Sequence, residues 1–178
     1  MCWTDIEGQF TRADATIYQA WAEWCSPDAV FVELGTAYGR SAACLLEAVA
    51  ARDKYNVTLY CIDMFPRHTL PVAVANLRAW RRQVRIVQCD IVRAAALFSP
   101  QSVAGVYIDA DHTANGLTRT LAAWVPVLIS DGRIGGHDYS AGWPAVRNVV
   151  DQLPPTAVTH WLGSSWEYHP ARAGHTHK

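Results

Sequence analysis

The feature that most constrains this chain is a regular alternation between short apolar segments typical of β-strands and longer segments with helical periodicity. The strand-like segments lie at residues 29–34, 57–62, 84–88, 103–108 and 133–136. The helical segments lie at residues 40–52, 72–82, 115–128 and 143–153, with a single helical turn at 91–98. Alternation of this kind requires crossover connections and produces a mainly parallel sheet with helices on both faces.

The C-terminal part departs from this alternation. Two strand-like segments, 158–162 and 166–169, are joined only by Gly163, Ser164 and Ser165, and such a short connection predicts an antiparallel hairpin. We therefore predict a single domain with a Rossmann-like, doubly wound α/β fold and a seven-stranded sheet. Its parts would be an N-terminal helical cap at residues 1–28, the core at 29–170 and a disordered tail at 171–178.

Charge and composition narrow the functional classes. Lys and Arg number 15 and Asp and Glu number 16, a net charge of −1, so no positive excess is available to bind nucleic acid or an acidic membrane. The apolar runs are far shorter than the ~20 residues that span a bilayer, and the first residues do not resemble a secretory signal. We expect a cytoplasmic protein that acts on a small molecule. The five cysteines are expected to be buried free thiols: Cys2, Cys25, Cys44, Cys61 and Cys89.

Polar residues or glycine follow nearly every predicted strand. They are Glu33 with Gly35, Asp63, Asp90, Asp109, and His137 with Asp138. Because the carboxyl ends of parallel strands meet at one edge, where open sheets of this class bind their ligands, the chemistry is expected there.

The first strand-to-helix turn, residues 33–41, contains glycine at positions 35 and 39. These glycines let a ligand approach the backbone closely. A dinucleotide-binding fingerprint would require glycine at positions 37 and 40, which are Ala37 and Arg40 here. Asp63 can accept the hydroxyl groups of a ribose, so the pattern fits an adenosine-containing ligand. Asp63 alone does not distinguish S-adenosylmethionine from NAD.

Three motifs together resemble those of class I S-adenosylmethionine-dependent methyltransferases. The spacing E-x-G-x-x-x-G at 33–39 resembles their first motif. The pair I-D-x-D-H at 108–112 and G-G-H-D-Y at 135–139 resembles a branch that includes the macrolide sugar O-methyltransferases and the cephalosporin-hydroxylase-like proteins. The resemblance runs from about residue 30 to residue 168. It implies that S-adenosylmethionine is bound by Glu33, Gly35, Thr36, Tyr38, Gly39, Ser41, Asp63, Met64, Asp90 and Asp109.

The same resemblance implies that Asp109, His137 and Asp138 hold a divalent metal ion and that His112 is the general base. Methyl transfer to a hydroxyl oxygen requires in-line placement of the acceptor and removal of its proton, which an imidazole can accept. The macrolide enzymes carry an acid where this chain has His137. Since magnesium prefers oxygen ligands and imidazole favours later metals, the expected ion is magnesium, manganese or a later transition metal.

Several other interpretations remain open from the sequence. Asp111 and His112 could cap the following helix, and His137 and Asp138 could serve only to satisfy a loop. The domain could be a metal-free or non-catalytic nucleoside-binding protein or, less in keeping with its glycine pattern, an NAD-dependent oxidoreductase. Because the N-terminal segment leaves little chain to cover an acceptor, a homo-oligomer is expected.

Overall fold

A computed structural model describes residues 2–66 and 68–173 of the protein. The strands are β1 (Val30–Leu34), β2 (Thr58–Asp63), β3 (Val84–Gln88), β4 (Val103–Ile108), β5 (Leu128–Gly136), β6 (Val158–His160) and β7 (Trp166–Tyr168). The α-helices are α1 (Ala15–Trp24), α2 (Arg40–Ala50), α3 (Thr69–Leu77), α4 (Ala114–Trp124) and α5 (Pro144–Val150). Short 3-10 helices lie at Trp3–Asp5, Arg78–Trp80, Arg93–Leu97, Val125–Val127, Pro155–Ala157 and Pro170–Arg172.

The seven strands form one sheet in the order β3-β2-β1-β4-β5-β7-β6. Strands β1 to β5 are parallel to one another, while β7 runs antiparallel to both β5 and β6. The predicted doubly wound α/β fold with a C-terminal antiparallel hairpin is confirmed. None of the described helices is long and apolar enough to cross a membrane.

Alternate residues of the central strands pack into two separate cores. On one face, α1 and α2 cover Phe31 and Tyr107, and the indole of Trp21 stacks on Phe31 with ring centroids 5.7 Å apart. On the other face, α5 and α4, which ends at the fully buried Trp124, cover Val106. A sheet buried on both faces holds its strand ends in a fixed register.

Some element bounds differ from the prediction. Strands β3 and β4 match it, whereas β5 begins at Leu128 rather than at residue 133. The polar run Ser130, Asp131 and Gly132 suggests a loop, but the strand continues through it as an irregularity in the β4–β5 register. The predicted helix 115–128 instead ends at Trp124, because Pro126 lacks a backbone N–H and the chain tightens into a 3-10 turn.

The prediction that all five cysteines are buried is wrong for two of them. Cys25, Cys44 and Cys61 are buried, but Cys2 is exposed and Cys89 is half-buried, and all five are free thiols. Cys2 precedes the first 3-10 helix, where no element covers it, and Cys89 follows β3, the edge strand of the sheet. The predicted tail lies mostly outside the described residues.

The β6–β7 turn joins the C-terminal hairpin to the N-terminal segment. Gly163 has a left-handed backbone with φ of +78°, and a Cβ atom there would lie 2.2 Å from Asp14 Oδ1. The next residue, Ser164, donates its backbone N–H to the same oxygen atom over 2.9 Å. The turn is therefore built around the carboxylate of Asp14.

We expect Gly163→Ala to lower the free energy of unfolding by about 2 kcal/mol or more, because a side chain at a left-handed position is strained and the new methyl group would overlap Asp14. Gly142→Ala is the matched control, since a Cβ atom there meets only Ser140 Oγ at 3.6 Å. Its effect should stay within about 0.5 kcal/mol. Urea denaturation measures both, and equal stability of the two variants would contradict this account.

Candidate active site

Three backbone hydrogen bonds continue the parallel ladder beyond the strand ends. Gly35 N donates to Ile62 O over 2.8 Å, Asp109 N donates to Leu34 O over 2.8 Å, and His137 N donates to Ile108 O over 3.0 Å. The residues that follow β1, β4 and β5 are therefore held side by side at one edge of the sheet, as the sequence predicts.

Glycine is required where β1 turns into the loop before α2. Gly35 has φ of +92°, and a Cβ atom there would lie 1.9 Å from the carbonyl oxygen of Asp109. Gly39, with φ of +86°, starts α2. The loop between the two glycines thus lies directly against the end of β4.

Glu33 lies beneath this glycine loop and is fully buried. Burial raises the pKa of its carboxyl to about 7, although the neighbouring hydroxyls of Ser41 and Thr36 oppose the shift. The hydroxyl of Tyr18 donates to Glu33 Oε1 over 3.3 Å, whereas Oε2 is buried with no hydrogen-bond partner in the described part of the chain. Thr36 Oγ1 is likewise buried and unpaired there. Two polar atoms under the loop are therefore buried without a hydrogen-bond partner among the described residues, and of the two residues only Thr36 lines the adjoining pocket.

A pocket opens between the glycine loop and the N-terminal segment 7–10. It is lined by Glu7, Gly8, Gln9, Phe10, Gly35, Thr36, Ala37, Tyr38, Arg40, Ser41 and Asp109. Arg40 fixes the segment that forms this wall, because its guanidinium donates to the carbonyl oxygens of Thr4, Ile6 and Phe10. The predicted residues Thr36, Tyr38, Ser41 and Asp109 thus share one pocket with Gly35.

Asp63, at the end of β2, bridges two loops of this edge. Its Oδ2 accepts the backbone N–H of Ala37 and its Oδ1 accepts that of Phe65, both over 2.8 Å. Both donors are non-glycine residues with left-handed backbones, φ of 45° and 48°. Each carboxylate oxygen has a second lone pair, so Asp63 can still accept hydroxyl groups from a ligand.

Met64 and Asp90 lie outside the pocket, towards the β3 side of the edge. Met64 is 58% exposed. Asp90 Oδ1 accepts the backbone N–H groups of Val92 and Arg93 and so caps the following 3-10 helix. The structure therefore brings neither residue into the pocket at the glycine loop.

The four residues of the second predicted site do come together. Ligand atoms of Asp109, His137 and Asp138 all lie within 4.8 Å of one another. His137 Nδ1 lies 3.1 Å from Asp138 Oδ1, and His112 Nε2 lies 2.6 Å from Asp138 Oδ2 and 3.7 Å from Asp109 Oδ1. We call these four residues the His–Asp cluster.

Opposite charges stabilise each other within the His–Asp cluster. The nearby carboxylates of Asp109 and Asp138 raise the pKa of His112 to about 9. Burial disfavours the charged form of His137, but hydrogen bonds to Asp138 and Asp14 still raise its pKa to about 10. Burial alone would raise the pKa of Asp138, but the two imidazoles lower it well below its usual range. Without a bound cation, the cluster therefore holds two protonated histidines.

Helix α4 is capped by Thr113, which Asp111 supports, and His112 takes no part in the cap. Asp111 Oδ1 accepts the backbone N–H of Thr113, and Thr113 Oγ1 accepts that of Gly116 at the start of α4. His112 instead faces the carboxylates, and its ring stacks on Trp143 with centroids 4.2 Å apart.

Sequence reasoning missed Asp14 and Trp143. Asp14 is 2% exposed, and its Oδ2 lies 3.4 Å from His137 Nε2. Its spacing from Thr11 fits a helix capping box, which gives no hint of a contact with His137. Nothing in the sequence around Trp143 indicates that it stacks on His112.

Solved structures with the same fold include several methyltransferases. A Corynebacterium glutamicum protein superimposes with a TM-score of 0.72 at 15% identity, covering 96% of this chain and 85% of that one. A candidate O-methyltransferase from Klebsiella pneumoniae superimposes with a TM-score of 0.69 at 16% identity, covering 93% of this chain and 84% of that one. An S-adenosylmethionine-dependent O-methyltransferase from Thermotoga maritima superimposes with a TM-score of 0.64 at 16% identity, covering 86% of this chain and 54% of that one. At these identities the likeness shows the fold, which is the Rossmann-like fold of class I methyltransferases.

A family model described as a methyltransferase domain matches residues 32–139, which include the glycine loop, Asp63 and the whole His–Asp cluster. No curated protein matches the sequence. The chain belongs to this methyltransferase domain family, and the prediction of a class I S-adenosylmethionine-dependent methyltransferase is confirmed. The family match also decides against an NAD-dependent oxidoreductase.

We expect the protein, freed of metal with a chelator, to lose stability as the pH rises from about 6.5 to about 10. The folded pKa values of His112 and His137, about 9 and about 10, exceed the ordinary value of 6.5. Their stabilising contribution is therefore complete below about pH 6.5 and is lost as the pH rises through the folded pKa values. Urea denaturation across this range measures the effect. In His112→Gln the free energy of unfolding should fall less steeply with pH. A wild-type free energy of unfolding that stays constant across this range would contradict the pairing of the histidines with the carboxylates.

Proposed function

We propose that the protein transfers a methyl group from S-adenosylmethionine to a hydroxyl oxygen of a small molecule. Asp109, His137 and Asp138 would hold a divalent cation, and His112 would be the general base. The observation that carries this proposal is the convergence of these four side chains at the strand edge, with Asp109 also lining the pocket at the glycine loop. A homo-oligomer, in which a second copy covers the acceptor side, is part of the proposal.

The pocket at the glycine loop fits the methionine end of the cofactor. The buried and unpaired Glu33 Oε2 and Thr36 Oγ1 can accept hydrogen bonds from an ammonium group. Asp63 would accept the ribose hydroxyls, and Met64 and Asp90 would flank the adenine on the β3 side. S-adenosylmethionine supplies the methyl group on a positively charged sulfur.

The His–Asp cluster fits a divalent cation, because it offers two carboxylates and one imidazole within 4.8 Å. A cation at these residues would supply positive charge that lowers the pKa of an acceptor hydroxyl. The nitrogen donor of His137 favours manganese or a later transition metal over magnesium.

His112 is placed to remove the proton of the acceptor. Its side chain is 30% exposed, but the Nε2 atom is buried against Asp138, so an acceptor would approach the remaining part of the ring. The stacked indole of Trp143, which is 42% exposed, fixes the plane of the imidazole and forms a wall beside it. A base held in one orientation transfers a proton more efficiently than one that must be ordered first.

We expect Asp63→Ala to weaken the binding of S-adenosylhomocysteine by about 1–3 kcal/mol, because the ribose hydroxyls lose their acceptor and the loop at Ala37 loses its anchor. Isothermal titration calorimetry measures the affinity. Asp28→Ala is the matched control, since Asp28 is exposed at the amino end of β1, remote from the carboxyl edge. This variant should bind S-adenosylhomocysteine with the affinity of the wild type. Unchanged affinity of Asp63→Ala would remove Asp63 from the cofactor site.

Transfer of a labelled methyl group from S-adenosylmethionine to a panel of sugars and phenols tests the proposed reaction, in the presence of manganese. Label on a hydroxyl oxygen is the expected result. Binding of S-adenosylhomocysteine with no transfer to any acceptor would instead support the non-catalytic alternative.

With an accepted substrate, His112→Ala should lower the turnover number by about 10²- to 10⁴-fold and leave the affinity for S-adenosylhomocysteine unchanged. His160→Ala serves as the control, because His160 contacts Tyr139 and is exposed on β6. Turnover by His112→Ala at the wild-type rate would exclude His112 as the base.

A further inference from the structure

The two ring nitrogens of His137 face different partners. Nδ1 faces the cluster, 3.1 Å from Asp138 Oδ1 and 4.0 Å from Asp109 Oδ1. Nε2 faces away from it, 3.4 Å from Asp14 Oδ2. Asp14 comes from the N-terminal segment before α1 and is 2% exposed, so this carboxylate is buried directly behind the imidazole.

Asp14 is itself held in place by other donors. Its Oδ2 accepts the backbone N–H of Thr11 over 2.9 Å and the Thr11 hydroxyl over 2.6 Å. Its Oδ1 accepts the backbone N–H of Ser164 over 2.9 Å. Oδ1 also accepts from the hydroxyl of Ser165 over 3.5 Å. The carboxylate is thus held from both sides while its Oδ2 faces His137 Nε2.

The same contacts connect Asp14 to the backbone beside Asp138. The peptide N–H of Ser164 donates to Asp14, while the carbonyl of Ser164 accepts the backbone N–H of Tyr139 over 2.8 Å. Tyr139 directly follows Asp138, whose backbone is left-handed with φ of +66°. Asp14 and the β6–β7 turn therefore fix both the ring of His137 and the chain that presents Asp138.

We propose that Asp14 is a positioning residue that accepts the Nε2–H of His137 and thereby presents the Nδ1 lone pair to the cation. This inference rests on the metal site of the proposed function. A neutral imidazole carries its proton on one nitrogen only, and a proton on Nδ1 would block coordination there. Metal-binding histidines commonly donate their second N–H to a carboxylate, and loss of such a partner lowers metal affinity about 10- to 100-fold.

The test measures manganese affinity by electron paramagnetic resonance of the free ion, at fixed pH and with S-adenosylhomocysteine present. Asp14→Asn should weaken manganese binding about 10- to 100-fold. The neutral amide keeps only one acceptor oxygen for Thr11, Ser164 and His137, so the imidazole loses its carboxylate partner. Thr11→Val is the matched control, because it removes a donor to the same Oδ2 and keeps the carboxylate. Its manganese affinity should stay within about 2-fold of wild type.

A His137→Glu background separates this role from a general effect on the site. Without the imidazole, Asp14→Asn should no longer weaken manganese binding. An equal loss of affinity in both backgrounds, or an equal loss in Thr11→Val, would overturn the inference in favour of a merely structural role. Unchanged affinity of Asp14→Asn would overturn the inference alone, whereas a wild-type protein that binds no manganese would overturn the metal site as well.

Nitrogen NMR of the zinc-loaded wild-type protein tests the same inference without any Asp14 variant. The expected ¹⁵N shifts of His137 are those of a protonated Nε2 and a metal-bound Nδ1. The reverse assignment would overturn the inference even if Asp14→Asn failed to fold.

Discussion

The active site depends on the parallel register of β1, β4 and β5, which continues one residue beyond each strand. The hydrogen bonds from Asp109 N to Leu34 O and from His137 N to Ile108 O place the loops that follow β1, β4 and β5 side by side. The absence of a side chain at Gly35 lets the first loop touch the Asp109 carbonyl. A parallel sheet buried on both faces leaves no freedom for these ends to shift, so the pocket at the glycine loop and the His–Asp cluster have a fixed separation.

Local backbone strain is concentrated at this edge. Ala37, Phe65 and Asp138 have left-handed backbones and follow β1, β2 and β5. Such conformations cost of order 1 kcal/mol or more each and persist only where surrounding contacts hold them. The carboxylate of Asp63 holds the first two through their N–H groups, and Ser164 holds the chain after Asp138. The polar residues that would bind ligands thus also maintain the loops that carry them.

The residues at the strand edge could be predicted from the sequence, but the contacts that hold them in place, such as that of Asp14 with His137, could not. The strand-like segments 103–108 and 133–136 are recognisable in the sequence, and the strand-end residues of parallel strands must share an edge. The placement of Asp109, His137 and Asp138 at one edge therefore follows from local signals. Asp14 lies far from His137 in sequence, and its spacing from Thr11 is explained by a helix cap alone. The sequence does not reveal the length of β5 either, since Ser130, Asp131 and Gly132 break the apolar pattern where the strand continues with a shift in the β4–β5 register. Contacts that depend on how distant segments fold together leave no periodic signal.

The N-terminal segment is better understood as part of both halves of the site than as a separate cap. At one point, Arg40, the first residue of α2, binds the carbonyls of Thr4, Ile6 and Phe10 and holds residues 7–10 against the glycine loop. Further along, Asp14 reaches the back of His137 and the β6–β7 turn. Since one short stretch of chain contacts both the pocket at the glycine loop and the His–Asp cluster, a displacement of this stretch would disturb both. The pocket at the glycine loop and the His–Asp cluster are therefore connected through residues 4–14 as well as through the sheet.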